Sequence, residues 1–549
     1  VIIAIRYVSQ MWPLIWSGLF LDYWNDYDVI AEAFQGRFSW ARMVNLQSGD
    51  HMIVLPRLLF LADFWLAGGT NYLIAGTDIL LMTGMVLLIY QAASRNCATT
   101  GILPALVLLL AVIHLFNHTN TLNILYSSNT QWFMAAFFSL AGLYIFTRVD
   151  AKPSISCDGL VLLCYLVGML CNRAAWSLAP ALALLLFCER RWSRGLMWAV
   201  IAASVHVVFM MSSEHQLKAD WIIGMLLWGW SLFADMHTGF MAPSFGDTTA
   251  LFSGRLLIIA SLSACVHFTW RGRHRGDSGL RFAAGSILFS LLTIVGISIS
   301  RGWISGLPQA DRFQLNVQLS CLFVAMYWLL ALPSVFCRGL LLALFTWKAL
   351  AVNNLKYPEM QRLSAEVIAE QAEFMAGHAN RDKQYPSGWG KDPLLFDAER
   401  LFASQTLAYY RRISYLVQEH QKVRQLLPCV WQQQMADNSR IVFVSTAAYE
   451  HYLPGYIVLL STTGVPVGYG VATPQDEGAR MDIWLRNPQA EYLSDYVLHG
   501  EAMQPCSLPI SVQQLPYTQA LTATGGTAPY TFAVTAGALP AGLTLSTAG

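Results

Sequence analysis

The sequence predicts a mainly α-helical, polytopic membrane bundle of about eleven spans, followed by a smaller α+β domain. Three observations predict it. The chain of 549 residues is 55% hydrophobic and only 12% charged, where soluble domains run near 25% charged, and its mean hydropathy is +0.44. Apolar runs close to the ~20 residues that cross a hydrocarbon core recur as far as Val352. Beyond Val352 they give way to polar-faced helical segments and then to strand-like ones.

In order, the runs fall at 1–20, 70–90, 101–117, 131–147, 159–171, 176–188, 195–211, 251–270, 282–300, 315–332 and 336–352. Short cytoplasmic loops carry the excess of Lys and Arg. Alternate loops hold Arg95, Arg148, Lys152, Arg190, Arg191, Arg194, Arg271, Arg273, Arg275, Arg281 and Arg338. That set is expected in the cytoplasm. Loops 21–69, 118–130, 172–175, 212–250 and 301–314 then face outward, as does everything after Val352. In loop 21–69, "DVIAEAF" and "PRLLFLADFWLAGG" carry apolar residues at helical spacing, with Trp24, Trp40 and Trp65 nearby. They read as helices lying at the interface.

Composition narrows the function classes. A net charge of +1 gives no field for nucleic acid. The ten cysteines contain no CxxC pair, which argues against zinc fingers and thioredoxin-like sites. Cys157, Cys164 and Cys171 recur at sevenfold spacing and read as one apolar helix face. Cys429 and Cys506 stand alone beyond the last run; outside the cytoplasm they could pair, although they lie far apart in sequence. Segment 353–508 reads as an extracytoplasmic α+β domain. Its strand signals are "RIVFVSTAAY" and "YIVLLSTTGVPVGYGVA", and it has no phosphate-binding loop motif. The chain starts at Val1 inside an apolar run and ends inside a strand pattern, so it reads as a fragment.

Charged and amide groups at membrane edges are functional candidates, and the outward loops collect nearly all of them. Asp22, Asp26 and Asp28 follow the first run, and Asp50 and His51 lie farther along the same loop. Asp26-Tyr27-Asp28 could act as general base or hold a divalent cation such as Mg or Mn. Either acid could equally cap the helix that follows. Arg57, Arg173, Arg301 and Arg312 could hold a phosphate at headgroup depth, or anchor helix ends there. Asp50, His51, Asn123, Gln131 and Gln309 make up a substrate-binding set. An acid beside an arginine clamp at the lipid surface is what transfer from a lipid-linked phosphosugar requires.

Two resemblances bear on this reading. The tail 509–549, and "GGTAPYTFAVTAGALPAGLTLS" in particular, resembles the start of the putative Ig domain family of bacterial surface and secreted proteins. That implies the beginning of a β-sandwich outside the cytoplasm. The bundle, 1–352, resembles the GT-C class of integral membrane glycosyltransferases over about residues 1–330. It shares an outward acidic motif after the first helix, interface helices in that loop, and an outer C-terminal domain. Locally, "NDYDVI", "SGDHMIVLPRLLFLADFWLAGGTN", "NILYSSNTQWFMAAFFSLAGLYIF" and "GLPQADRFQ" look like segments of uncharacterised bacterial polytopic proteins grouped near that class. The chain departs from their pattern at Asn25, where an acid is usual, at Asp50-His51-Met52 for Glu-His-Arg, and at Phe313 for Tyr. The resemblance implies an undecaprenyl-phosphate sugar donor, a glycan or protein acceptor, and a place in a bacterial inner membrane. A lipid-sugar transporter or flippase is the competing class, and a membrane-anchored adhesion protein the third.

A membrane-impermeant maleimide added from outside is expected to label Cys506 and to miss a cysteine introduced by Gly276→Cys. Outside labelling at position 276 would invert the whole topology.

Overall fold

A computed structural model describes residues 1–15, 29, 33, 37–45, 52–67, 69, 71–95, 101–148, 155–212, 247–271, 277–301 and 313–376, together with strands at 431–437, 440–445, 455–461, 466–475, 478–485 and 496–498. The described residues fall into two compact units, one of residues up to 371 and one of residues from 372 onward.

The first unit is helical. Its helices are α1 (Ile2–Met11), α2 (Trp40–Val44), α3 (Val54–Ala67), α4 (Tyr72–Ser94), α5 (Ile102–Leu115), α6 (Thr121–Leu125), α7 (Thr130–Arg148) and α8 (Ile155–Met169). They continue with α9 (Leu178–Cys188), α10 (Trp192–Ser212), α11 (Asp247–Arg271), α12 (Ser278–Arg301), α13 (Gln314–Ala331) and α14 (Val335–Ala376). Short 3-10 turns occupy His118–Asn120, Ser127–Asn129 and Arg173–Ser177. In the second unit, β1 (Trp431–Asp437), β2 (Arg440–Ser445), β3 (Gly455–Ser461), β4 (Pro466–Gln475), β5 (Gly478–Leu485) and β6 (Tyr496–Leu498) form one antiparallel sheet in the order β1-β2-β5-β4-β3-β6.

Among the described residues six helices are long and apolar enough to cross a bilayer: Tyr72–Ser94, Ser127–Arg148, Phe252–Trp270, Ser278–Ile297, Gln314–Ala331 and Val335–Ser364. Ile102–Leu115 with His118–Leu125, bent by 42°, makes a seventh if counted as one span. The described residues thus support six or seven of the expected spans. Ser156–Met169 and Arg173–Cys188 are apolar but shorter than a bilayer requires. The first run differs from a simple span, because α1 stops at Met11 and Pro13 lies in the 3-10 turn that follows. Beyond the expected 336–352 span, α14 continues unbroken to Ala376, with Pro358 inside it.

The helices are apolar on more than one side. Met82, Phe133, Leu182, Leu185 and Leu322 are fully buried, while Leu80, Leu87, Leu163, Val266, Leu340 and Leu344 are exposed. Water would oppose so much outward apolar surface, but lipid tails do not. Small residues then set how closely helices approach. A Cβ on Gly142 of α7 would stand 3.0 Å from Leu178 Cδ2 and 3.4 Å from Cys164 Cβ, and one on Gly168 of α8 would stand 2.9 Å from Ala175 Cβ.

Alternate loops collect at opposite ends of the bundle. At the arginine-rich end, Arg281 in the first turn of α12 donates to Glu189 after α9, Nε to Oε1 at 2.6 Å and Nη2 to Oε2 at 3.3 Å. Arg194 in α10 donates Nε to Asp158 Oδ2 in α8 at 3.1 Å. Both guanidiniums lie over the Phe146 ring of α7, at 4.7 Å for Arg194 and 6.0 Å for Arg281. These two arginines, expected only to set topology, also tie four helix ends together.

Arg281 and Glu189 are each 3% exposed in their side chains. Losing one partner of a buried pair leaves the other charge uncompensated, at about 3–5 kcal/mol. Arg281→Ala or Glu189→Ala is expected to lower stability by that order in detergent unfolding. Arg281→Met with Glu189→Leu should recover most of it; a double variant as unstable as the singles would refute this account.

Candidate functional site

The candidate site lies at the opposite end of the bundle. It is built on residues 116–130, which bend back from α5 and reach α7 through α6 and two 3-10 turns. The stretch "FNHTNTLNILYSSNT" is polar, yet every residue in it except Leu122 is buried. Irregular backbone at membrane depth survives only inside protein, with its hydrogen bonds satisfied there. Asn117 supplies several of them. Its Oδ1 accepts from Thr119 N and Thr119 Oγ1, both at 3.0 Å, and its Nδ2 donates to Ala349 O of α14 at 2.8 Å. Asn120 Nδ2 returns to Leu115 O at 3.0 Å, at the end of α5. His118 N donates to Asn353 Oδ1 at 2.9 Å. The His118 ring bonds Thr121 Oγ1 at 3.0 Å and Gln10 Oε1 at 3.2 Å, between the rings of Tyr7 and Tyr357.

Three further helix ends meet this segment. Thr130 Oγ1 donates to Asp78 Oδ1 of α4 at 2.5 Å. Asn129 Nδ2 donates to Asn123 Oδ1 at 2.9 Å. Asn172, past the end of α8, donates Nδ2 to Gln131 Oε1 at 2.5 Å, while its Oδ1 accepts from Ala174 N at 2.8 Å and caps the Arg173–Ser177 turn. Gln318 Nε2 of α13 donates to Thr119 Oγ1. Phe313, just before α13, meets Trp132 of α7 edge to face with centroids 5.8 Å apart.

Helices of the first loop sit at this same end, where Leu55 N of α3 donates to Leu170 O at 3.2 Å. Arg57 of α3 is buried, and its Nη1 caps the C-terminus of α2 by donating to Met43 O at 2.9 Å, Arg42 O at 3.4 Å and Asn45 O. Asp63 of α3 accepts Asn71 N at 2.9 Å and Leu73 N at 3.0 Å, covering the N–H groups that α4 leaves open at its start. Asn71 adopts a left-handed φ of 64° at that junction, a conformation Asn tolerates better than most residues.

Of the expected site residues, Asn123 and Gln131 join the buried network, and Arg173 stands half-buried beside Asn172. Arg301 is the last residue of α12. Asp22, Asp26, Asp28, Asp50, His51, Gln309 and Arg312 lie outside the described residues, as do Cys429 and Cys506. Among the described residues no group of three or more His, Cys, Asp or Glu side chains could hold a metal ion. The expected cation ligands, Asp26 and Asp28, are not among those residues. Sequence reasoning missed Asp78, although an acid inside "NYLIAGTDILLMTG" was the available signal. It also missed Gln314 and Gln318, polar residues one turn apart at the start of α13.

Among known proteins, the Putative Ig domain family matches residues 501–549, a stretch that begins earlier than the expected 509. No curated protein and no solved structure matches the chain.

Burial pushes the Asp63 carboxyl up to about 6, against the opposing pull of the Asn71, Leu73 and Ile74 N–H groups. A carboxyl raised above its unfolded value of 3.8 holds its proton more tightly in the native state. Its contribution to stability is therefore complete below 3.8 and lost as pH rises through about 6. Thermal unfolding in detergent is expected to show a component that weakens across this window and that Asp63→Asn abolishes. An unchanged pH profile in the variant would assign the component elsewhere.

Proposed function

We propose that the chain is a GT-C-like membrane glycosyltransferase. It moves a sugar from a polyprenyl-phosphate-linked donor to a glycan or protein acceptor on the extracytoplasmic face of a bacterial inner membrane. One observation carries the proposal. Amides, hydroxyls and the Asp78 carboxyl are buried together at a single end of the bundle, where the first-loop helices also pack. Neutral groups of that kind recognise sugar hydroxyls, while the end of a membrane bundle lies where a lipid-linked headgroup sits. The family match at 501–549 supports an extracytoplasmic C-terminal region, because the Ig domain family occurs there on bacterial surface and secreted proteins.

In this reading an acid of the first loop, Asp26 or Asp28, takes the proton from the acceptor hydroxyl. The acceptor oxygen bonds to the anomeric carbon as the bond from that carbon to phosphate breaks. The electron pair leaves on the phosphate oxygen, where Arg173, Arg301 or Arg312 offsets the charge. A divalent cation held by Asp26 and Asp28 would serve the same leaving group. Arg57 is the weakest member of the expected phosphate set, because its guanidinium already caps α2.

A second reading, transport of a lipid-linked sugar, draws on Asp78. This acid is fully buried within a membrane-length helix, the setting in which transporters place ionisable groups.

Transfer from an undecaprenyl-phosphate sugar in nanodiscs separates these readings. Asn caps a helix about as well as Asp but cannot take the proton. Asp26→Asn or Asp28→Asn is therefore expected to lower turnover by ~10²–10⁴-fold at equal folded yield. Wild-type turnover in both variants would make these acids caps and remove the main support for a transferase.

A further inference from the structure

The His118 ring is bonded at both nitrogens. Nε2 meets Gln10 Oε1 of α1 at 3.2 Å, and Nδ1 meets Thr121 Oγ1 at 3.0 Å. Thr121 Oγ1 in turn donates to the Tyr7 hydroxyl at 3.3 Å. Both partners of the ring can therefore accept, and the imidazole can carry two N–H groups at once. The ring also rests against the aromatic rings of Tyr7, at 5.0 Å between centroids, and Tyr357 of α14, at 4.6 Å. Aromatic faces favour a passing positive charge. The charged and titratable groups beside the ring are Arg6 and Tyr7 of α1 and Tyr357 of α14.

This line of groups has a wet end and a dry end. Gln10 and Tyr357 are half-buried at the polar end of the bundle, whereas Thr121 and Tyr7 are buried. Within electrostatic reach of the Tyr7 hydroxyl lies Asp78 of α4, fully buried in a membrane-length helix. Asp78 Oδ1 accepts from Thr130 Oγ1 at 2.5 Å. Its Oδ2 has no hydrogen-bond partner among the described residues, so a small turn of the phenol or the carboxyl must close the last step. No cavity is required, because a proton moves along hydrogen bonds that are already made.

We infer that His118, Thr121 and Tyr7 form a proton relay between water at the polar end of the bundle and the buried carboxyl of Asp78. In the inward step His118, as a transient imidazolium, passes its Nδ1 proton to Thr121 Oγ1. Thr121 passes its own hydroxyl proton to the Tyr7 oxygen, and Tyr7 passes its own to the Asp78 carboxylate. Each hydroxyl gains one proton and loses one, leaving a neutral imidazole and a protonated Asp78. A half-turn of the ring then brings Nδ1 to the water side for reloading. Gln10 and Tyr357 are positioning residues for that ring. The relay goes beyond the sugar transfer proposed above and needs neither donor nor acceptor. It gives an intramembrane acid an exchange path to water.

Infrared spectroscopy of the full chain in nanodiscs, moved from H2O to D2O, tests it. The band of a protonated carboxyl shifts when deuterium replaces its proton. Loss of that band in Asp78→Asn, or its displacement in Asp78→Glu, assigns it to Asp78. Mass spectrometry follows the backbone amides of α4 in parallel, which exchange as the bundle opens. In wild type the Asp78 band is expected to shift roughly tenfold or more faster than those amides exchange. Thr121→Val and Tyr7→Phe each remove one hydroxyl at nearly constant shape and should slow the band to the pace of the amides. Thr121→Ser should keep the wild-type rate. A merely structural role would do the opposite, since a loosened bundle exchanges faster. The proposal fails if the wild-type band only keeps pace with the amides, or if no protonated Asp78 is found; neither outcome needs a folded variant. It fails equally if folded Thr121→Val or Tyr7→Phe exchanges as fast as wild type.

Discussion

Irregular backbone can lie at membrane depth only where protein supplies the hydrogen bonds that water would otherwise make, and the bent segment between α5 and α7 depends on that constraint. Satisfying it draws in side chains or carbonyls from α1, α4, α13 and α14, since Gln10, Asp78, Gln318, Ala349 and Asn353 all bond to residues 117–130. The polar end of the bundle is thus organised around one short stretch of chain. The arginine-rich end obeys the same rule with charges, where Glu189 and Arg281 are tolerable in the interior because each completes the other.

The first-loop helices show how such satisfaction fixes positions. Arg57 closes the end of α2 and Asp63 closes the start of α4, so a single helix of the loop caps one neighbour on each side. Both side chains carry formal charge in an apolar helix, and sequence reasoning placed Arg57 in a phosphate-binding set. In the fold Arg57 donates to the end of α2 and Asp63 accepts at the start of α4. Backbone dipoles at helix ends, which are invisible in a sequence until the helices are placed, take up both groups.

Much of the bundle was nevertheless legible. Hydropathy located the long helices α4, α7, α11, α12 and α13 within a few residues, because a bilayer imposes a length that sequence displays directly. The alternation of arginine-bearing loops correctly grouped Arg194 with Arg281, and Asn123 with Asn172. What stayed hidden depends on three-dimensional neighbours. The 118–130 loop gave no sign that it bends inward, since a polar stretch between two spans reads as a solvated connection. Asp78 lies inside a span, whereas the polar groups that stand out in the sequence lie at span ends. The length of α14 was also missed, because the change from apolar to polar composition near Val352 marks a change of surroundings without a break in the helix.

That last helix carries one further consequence. Pro358 has no N–H to give, so the carbonyl of Asn354, one turn earlier, loses its usual helical donor. In hydrocarbon an unsatisfied carbonyl costs several kcal/mol, whereas water meets it readily. Asn354 is exposed, and its neighbour Asn353 bonds to His118. The carbonyl left open at Asn354 suits a stretch of α14 that water can reach better than one sunk in hydrocarbon.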